Sequence, residues 1–97
     1  MPVHYAGMPC DMSEIHSICS KNKIQIIEDA AHALGARYNT GERVGSCKYS
    51  DLTVFSFHPV KSITTGEGGV VTTNNEKLYL ELLKLRSHGI EKSQKNI

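Results

Sequence analysis

Lys61 and Asp29 carry the side chains best placed for covalent chemistry, and each follows an apolar, strand-like run. Lys61 closes Ser56-Phe57-His58-Pro59-Val60-Lys61, and Asp29 lies within Glu28-Asp29-Ala30-Ala31-His32. A lysine amine attacks a carbonyl once desolvation or a neighbouring cation keeps it neutral, which makes Lys61 a candidate Schiff-base former. A carboxylate beside a pyridine ring keeps its nitrogen protonated, and Asp29 is a candidate for that role. These are the two protein groups on which pyridoxal phosphate (PLP) chemistry most depends. Each residue also has a plainer reading. Lys61 can be a solvated lysine after a strand, and Asp29 a turn or helix N-cap carboxylate ahead of Ala30 and Ala31.

The elements that must position them follow from the pattern. Val3-His4-Tyr5 reads as the end of a short strand, with Gly7 and Pro9 in the turn after it. Asp11 caps a helix, with Glu14 at the capping-box position. Met12, Ile15, Ile18 and Cys19 are assigned to its apolar face, and Lys21-Asn22-Lys23 to its basic end. Ile24-Gln25-Ile26-Ile27, ending at Glu28, predicts a strand buried on both faces. Strand, helix, strand in this order makes a βαβ unit, so the two strands are expected to be parallel.

Asn39-Thr40-Gly41 is a turn, and Val44-Gly45-Ser46 begins a short extended piece. Leu52-Thr53-Val54-Phe55-Ser56-Phe57 is the next strand, stopped by Pro59. Gly66, Gly68 and Gly69 form a loop free of side chains. Val70-Val71-Thr72-Thr73 returns beside that strand. Asn74 or Asn75 caps a last helix, with a buried stripe of Leu78, Leu82 and Leu85 widened by Tyr79 and Leu83. Lys84 and Arg86 suit its C-terminus, and Gly89 is the expected stop. That leucine stripe spans too few heptads for a zipper. In open α/β sheets, ligands bind beyond the carboxyl ends of the strands. If the strands at 24–28 and 52–57 are parallel neighbours, Asp29 and Lys61 reach one crevice.

At 97 residues the chain has room for one small domain. Hydrophobic content of 39% and charged content of 22% are those of a soluble globular sequence. A net charge of +1 points to neither nucleic acid nor an anionic membrane. The one charged tract is the polar, lysine-bearing Glu91-Lys92-Ser93-Gln94-Lys95. No run approaches a membrane span, and Met1-Pro2-Val3-His4-Tyr5 does not resemble a signal peptide. Cys10, Cys19 and Cys47 are odd in number and irregularly spaced, which suggests a reducing cytoplasm. The scattered His4, His16, His32, His58 and His88 lack metal-site spacing. Gly66-Glu67-Gly68-Gly69 lacks the spacing and lysine of a P-loop.

Four segments occur in order: Glu28-Asp29-Ala30-Ala31-His32-Ala33-Leu34-Gly35, Phe55-Ser56-Phe57-His58-Pro59-Val60-Lys61, Thr64-Thr65-Gly66-Glu67-Gly68-Gly69 and Leu85-Arg86-Ser87-His88-Gly89. Together they resemble the DegT/DnrJ/EryC1/StrS family of PLP-dependent nucleotide-sugar aminotransferases, over nearly the whole chain. Within that family the chain is most similar to the branch acting on 4-keto-6-deoxy UDP-N-acetylhexosamines in pseudaminic acid biosynthesis. The resemblance implies an α/β fold: part of a fold-type-I PLP-transferase large domain, a mostly parallel sheet flanked by helices. It implies that Lys61 forms the internal aldimine and shuttles protons at the substrate carbon. It implies that Asp29 pairs with the pyridinium nitrogen, that Ser56 donates to the PLP phosphate and that His32 lies near the ring. His58 is placed near the lysine. For Ser56, His32 and His58, ordinary packed and hydrogen-bonded roles stand beside these.

The implied reaction moves an amino group from an amino acid, glutamate in most of the family, to a keto carbon of a nucleotide-linked deoxysugar. Relatives with histidine in place of the lysine dehydrate sugars instead, and Lys61 favours amino transfer. Family members are several times longer and dimeric. Residues 1–97 are therefore expected to be a central segment of the PLP-binding large domain, a fragment of a homodimeric parent. The alternatives are a PLP-dependent sugar dehydratase and a truncated α/β piece without catalysis of its own.

Overall fold

The computed structural model describes residues 1–90, so the tract at 91–95 lies outside the described residues. A 3-10 turn at Tyr5–Gly7 leads to helix α1 (Met12–Lys21), then strands β1 (Ile27–Asp29), β2 (Leu52–Ser56) and β3 (Gly69–Thr72), and helix α2 (Glu76–Arg86). The chain is thus α/β. β1 pairs with β2 in parallel, with Asp29 opposite Val54, and an isolated parallel bridge joins Val3 to Asp29. β3 returns antiparallel to β2, with Ser56 opposite Gly69, so the sheet is mixed and has the order β1-β2-β3.

Helix α1 begins where Asp11 accepts a hydrogen bond from the Glu14 amide at 3.1 Å. That bond satisfies one of the open amides of the first turn, and the Ser13 hydroxyl donates to the same carboxylate. The Ser13 hydroxyl, then the Glu14 amide, hold the Asp11 carboxyl below its usual pKa. Met12 is buried, and Ile15 and Cys19 pack beside the core. Ile18 is 55% exposed, against expectation. At 3.6 residues per turn it sits about 120° from Met12, off the stripe that Met12, Ile15 and Cys19 share.

The strand expected at 24–28 starts at Ile27 instead. Lys23 takes a left-handed φ of 56°. The Ile24 amide then reaches back to the Cys19 carbonyl at 2.9 Å, and the Lys23 amide to that of Ser20. This is a Schellman closure of α1, and it uses the amide that a strand would need. Ile24 is consequently 57% exposed.

Burial also departs from expectation, because the sheet is covered on one face. Residues alternate along a strand, so Glu28, Thr53 and Phe55 share one face and Asp29, Val54 and Ser56 the other. The first face is buried against Met12, Ala33, Tyr38, Val44 and Tyr49. The second is only half-buried.

The Asn39-Thr40-Gly41 turn closes a small hairpin in which Arg37 bridges Arg43. Val44 and Gly45 form a second turn rather than an extended piece. Gly45 has a φ of 93°, and the Phe55 ring lies 2.8 Å from where a Cβ would stand.

Asn75 caps α2 by accepting from the Lys77 and Leu78 amides. Its stripe is not buried as expected: Leu78, Leu82 and Leu83 are half-covered, while Leu85 is 69% exposed. Among the described residues nothing lies over that side, and a groove of about 440 Å³ runs between α2 and Val70-Val71. The helix ends with His88, not Gly89, at the first left-handed position, and the Gly89 amide bonds the Lys84 carbonyl at 2.8 Å. Among the described residues no helix is long and apolar enough to cross a membrane.

Candidate active site

Asp29 is the last residue of β1, and its backbone is held on both sides. Its amide donates to Pro2 and its carbonyl accepts from His4, each at 2.9 Å. The next amide, Ala30, continues the parallel ladder to Val54 at 2.8 Å. One carboxylate oxygen, Oδ1, accepts from the Ala31 amide at 3.0 Å, an Asx turn. Among the described residues the other oxygen has no hydrogen-bond partner. Asp29 therefore serves the turn with one oxygen and presents the second on the open face of the sheet.

Ser56, the last residue of β2, lies on that same face two residues beyond Val54. Its Oγ accepts from the His58 amide at 3.3 Å, which leaves the hydroxyl proton available for an anion. Its cross-strand neighbour is Gly69. A Cβ there would stand 2.7 Å from the Phe55 carbonyl, so only glycine allows the two strands this approach.

Lys61 lies in the loop that leaves this end of β2. That loop closes on itself: the Phe57 amide bonds Gly68 at 2.8 Å, and the Phe57 carbonyl accepts the Thr64 hydroxyl at 2.9 Å and the Thr65 amide at 3.1 Å. The Lys61 amide caps a turn on the His58 carbonyl at 2.9 Å. Lys61 is half-buried as a residue, and its amine has no ion pair among the described residues. His58 accepts the Val60 amide at its ring Nδ1, a local turn contact.

His32 follows the Asx turn and is exposed. Its Nδ1 accepts the Ala6 amide at 3.4 Å, and its ring centroid is 5.7 Å from that of Tyr5. An amide can only donate, so Nδ1 carries the lone pair and Nε2 carries the proton of a neutral ring. The topology thus gathers Asp29, Ser56 and the Lys61 loop at the carboxyl ends of two parallel strands, with His32 just beyond. An amine without an ion pair, a carboxylate oxygen without a partner and a hydroxyl with a spare proton suit an aldehyde, a ring nitrogen and a phosphate.

Behind this face lies an arrangement that the sequence reading did not find. Glu28 is 0% exposed. Its Oε2 accepts from His4 Nε2 and from the Tyr38 hydroxyl, both at 2.7 Å. Its Oε1 accepts from Thr53 at 3.1 Å and from the Ser50 hydroxyl. His4 Nδ1 accepts the Cys10 amide at 3.2 Å, so its Nε2 bears the proton and the ring is neutral. Four neutral donors therefore surround one buried carboxylate, which accepts at both oxygens. Burial, and next the bond to Glu28, push the Tyr38 hydroxyl above its usual pKa. Alternation alone places one of the adjacent acids Glu28 and Asp29 inside. Nothing in the spacing of residues 4, 38, 50 and 53 marks them as its donors.

The model of the DegT/DnrJ/EryC1/StrS aminotransferase family matches residues 1–97. The UDP-4-amino-4,6-dideoxy-N-acetyl-beta-L-altrosamine transaminase of Campylobacter jejuni is 51% identical over 92 residues, which is 95% of this chain and 24% of that protein. The solved aminotransferase of Helicobacter pylori involved in the biosynthesis of pseudoaminic acid superposes with a TM-score of 0.87 at 37% identity, over 98% of this chain and 25% of that one. NtdA of Bacillus subtilis, solved with bound cofactor PMP, gives a TM-score of 0.81 at 34% identity, over 97% of this chain and 20% of its own. The chain spans about a quarter of the length of these relatives. Sequence and fold agree: the chain belongs to the DegT/DnrJ/EryC1/StrS aminotransferase family.

Proposed function

We propose that residues 1–97 are the central segment of the PLP-binding large domain of a nucleotide-sugar aminotransferase. One observation carries this reading: Asp29 and Ser56 end adjacent parallel strands on one open sheet face, beside a loop whose Lys61 amine has no ion pair. The available groups fit PLP. Lys61 would hold the cofactor covalently and move a proton at the substrate carbon, which an amine locked in an ion pair does poorly. The free oxygen of Asp29 would accept the ring N–H. The Ser56 hydroxyl would donate to the phosphate, and His32 Nε2–H would offer a donor beside the ring. When bound, PLP supplies the electron sink.

The amino donor is an amino acid, glutamate in this reading, and the acceptor is a keto carbon of a nucleotide-linked deoxysugar. The Campylobacter relative is named for a UDP-4-amino-4,6-dideoxy-N-acetyl sugar, the kind of product that amino transfer to a 4-keto-6-deoxy UDP-N-acetylhexosamine would give, which supports that acceptor. The complete enzyme is a cytoplasmic homodimer in this reading, and the three free cysteines of this chain suit a reducing compartment.

The test incubates the complete PLP-loaded enzyme with glutamate and a 4-keto-6-deoxy UDP-N-acetylhexosamine. Mass spectrometry should detect an amino sugar and 2-oxoglutarate in equal amounts, and Lys61→Ala should abolish both. Equal product from Lys61→Ala would overturn the reading.

A further inference from the structure

We propose that Glu28 is a positioning residue for Asp29, acting through His4; this rests on the assignment of Asp29 to the cofactor ring nitrogen. The two acids are adjacent, point to opposite faces and are linked by a closed path. The Glu28 carboxylate grips His4 Nε2 at 2.7 Å. The His4 amide grips the Asp29 carbonyl at 2.9 Å. Asp29 is joined covalently to Glu28. The far side of His4 is fixed as well, because its Nδ1 accepts the Cys10 amide at 3.2 Å. The three-residue β1 is thereby tied at its carboxyl end to the segment at 2–4, where regular pairing amounts to a single bridge.

The Glu28 carboxylate is itself immobile. Tyr38, from the loop after β1, and Ser50 and Thr53, from the start of β2, complete its donors. A one-residue slip of β1 would exchange the faces of Glu28 and Asp29. It would leave these donors without their carboxylate, so the network selects the register in which Asp29 faces outward. A carboxylate that must meet a ring nitrogen tolerates little displacement, and a misplacement of about 1 Å can cost roughly a hundredfold in rate. The isostere Glu28→Gln tests this charge, since its amide nitrogen faces donors and accepts none of them.

The experiment loads the complete enzyme with PLP labelled with ¹⁵N in the ring and reads ring-nitrogen protonation by NMR in folded holoenzyme. Wild type should give the protonated signal and Asp29→Asn the neutral one. Glu28→Gln should move the signal toward neutral and lower kcat about a hundredfold, while Lys61 still holds the cofactor. Tyr38→Phe, which removes one donor and keeps the ring, should shift it less in the same direction. It decides the matter if Glu28→Gln does not fold. A Glu28→Gln or Tyr38→Phe enzyme that loses thermal stability yet keeps the wild-type signal and kcat would show a structural role only and overturn the proposal. A signal unmoved by Asp29→Asn would instead overturn the cofactor assignment beneath it.

Discussion

Replacing Thr53 by valine removes one hydroxyl from the Glu28 network and keeps nearly the same shape. Thr53 is fully buried, and its hydroxyl donates to Glu28 Oε1 at 3.1 Å. Its other polar contacts, Cys47 Sγ at 3.6 Å and Ser50 Oγ at 3.4 Å, are long. A hydrogen bond to a charged group contributes about 1.5–3 kcal/mol. The valine methyl returns about 0.8 kcal/mol through apolar burial. Thr53→Val should therefore destabilise the protein by about 1–2 kcal/mol. Urea unfolding should show a lower midpoint at unchanged m, because the surface exposed on unfolding stays the same.

The background matters as much as the single change. In Glu28→Gln the bond is neutral and contributes about 0.5–1.5 kcal/mol, so adding Thr53→Val should then cost close to nothing. A Thr53→Val protein as stable as wild type would refute the reasoning, because a buried anion cannot lose a donor without cost. An equal cost in both backgrounds would refute the charge on Glu28.

Gly45→Ala should be more severe, at about 2–5 kcal/mol. It combines a left-handed backbone strain of about 1–2 kcal/mol with overpacking of the Phe55 ring at about 1–3 kcal/mol. Gly41→Ala, at a φ of 99° with open space around it, should show the strain alone in the same unfolding assay. At alkaline pH, Tyr38 stays protonated in the fold above the pH near 10 where it ionises in the unfolded chain. The unfolded state then binds fewer protons, so stability should fall by about 1.4 kcal/mol per pH unit above that point. Tyr38→Phe should remove that component of the slope. An identical alkaline slope in the variant would contradict it.

The parts of the fold that the sequence revealed rest on local rules. Asp11 and Asn75 cap their helices because a side-chain oxygen ahead of a helical run has unpaired amides to meet. β2 follows from a short apolar run, and the βαβ order accounts for the parallel bridge from Val3 to Asp29 across α1, whereas the parallel pairing of β1 with β2, with no helix between them, stood in the sequence only as a condition. The misplaced features depend on competition between neighbours or on layers outside the chain. Ile24 is as β-branched as Ile26 and Ile27, but the Schellman turn at Lys23 takes its amide first. His88 takes the first left-handed position ahead of Gly89, a choice that composition does not encode. Leu85 and Tyr79 carry a core-like pattern yet stand open, as does the Asp29 face of the sheet.

The site divides in the same way. Asp29 and Lys61 were visible because each was read just past a strand, where side chains collect at one edge of the sheet, while Ser56 entered only through the motif that contains it. His32 became visible through the motif it closes. The Glu28 network was hidden because its donors, at residues 4, 38, 50 and 53, meet only after folding.

The central claim is that Lys61 is the residue that carries the cofactor. Borohydride reduction of the PLP-loaded protein, followed by peptide mass mapping, tests it most directly. The account predicts a single pyridoxyl label on Lys61, lost in Lys61→Ala. A label on the exposed Lys48, Lys77 or Lys84 with Lys61 unmodified would contradict it.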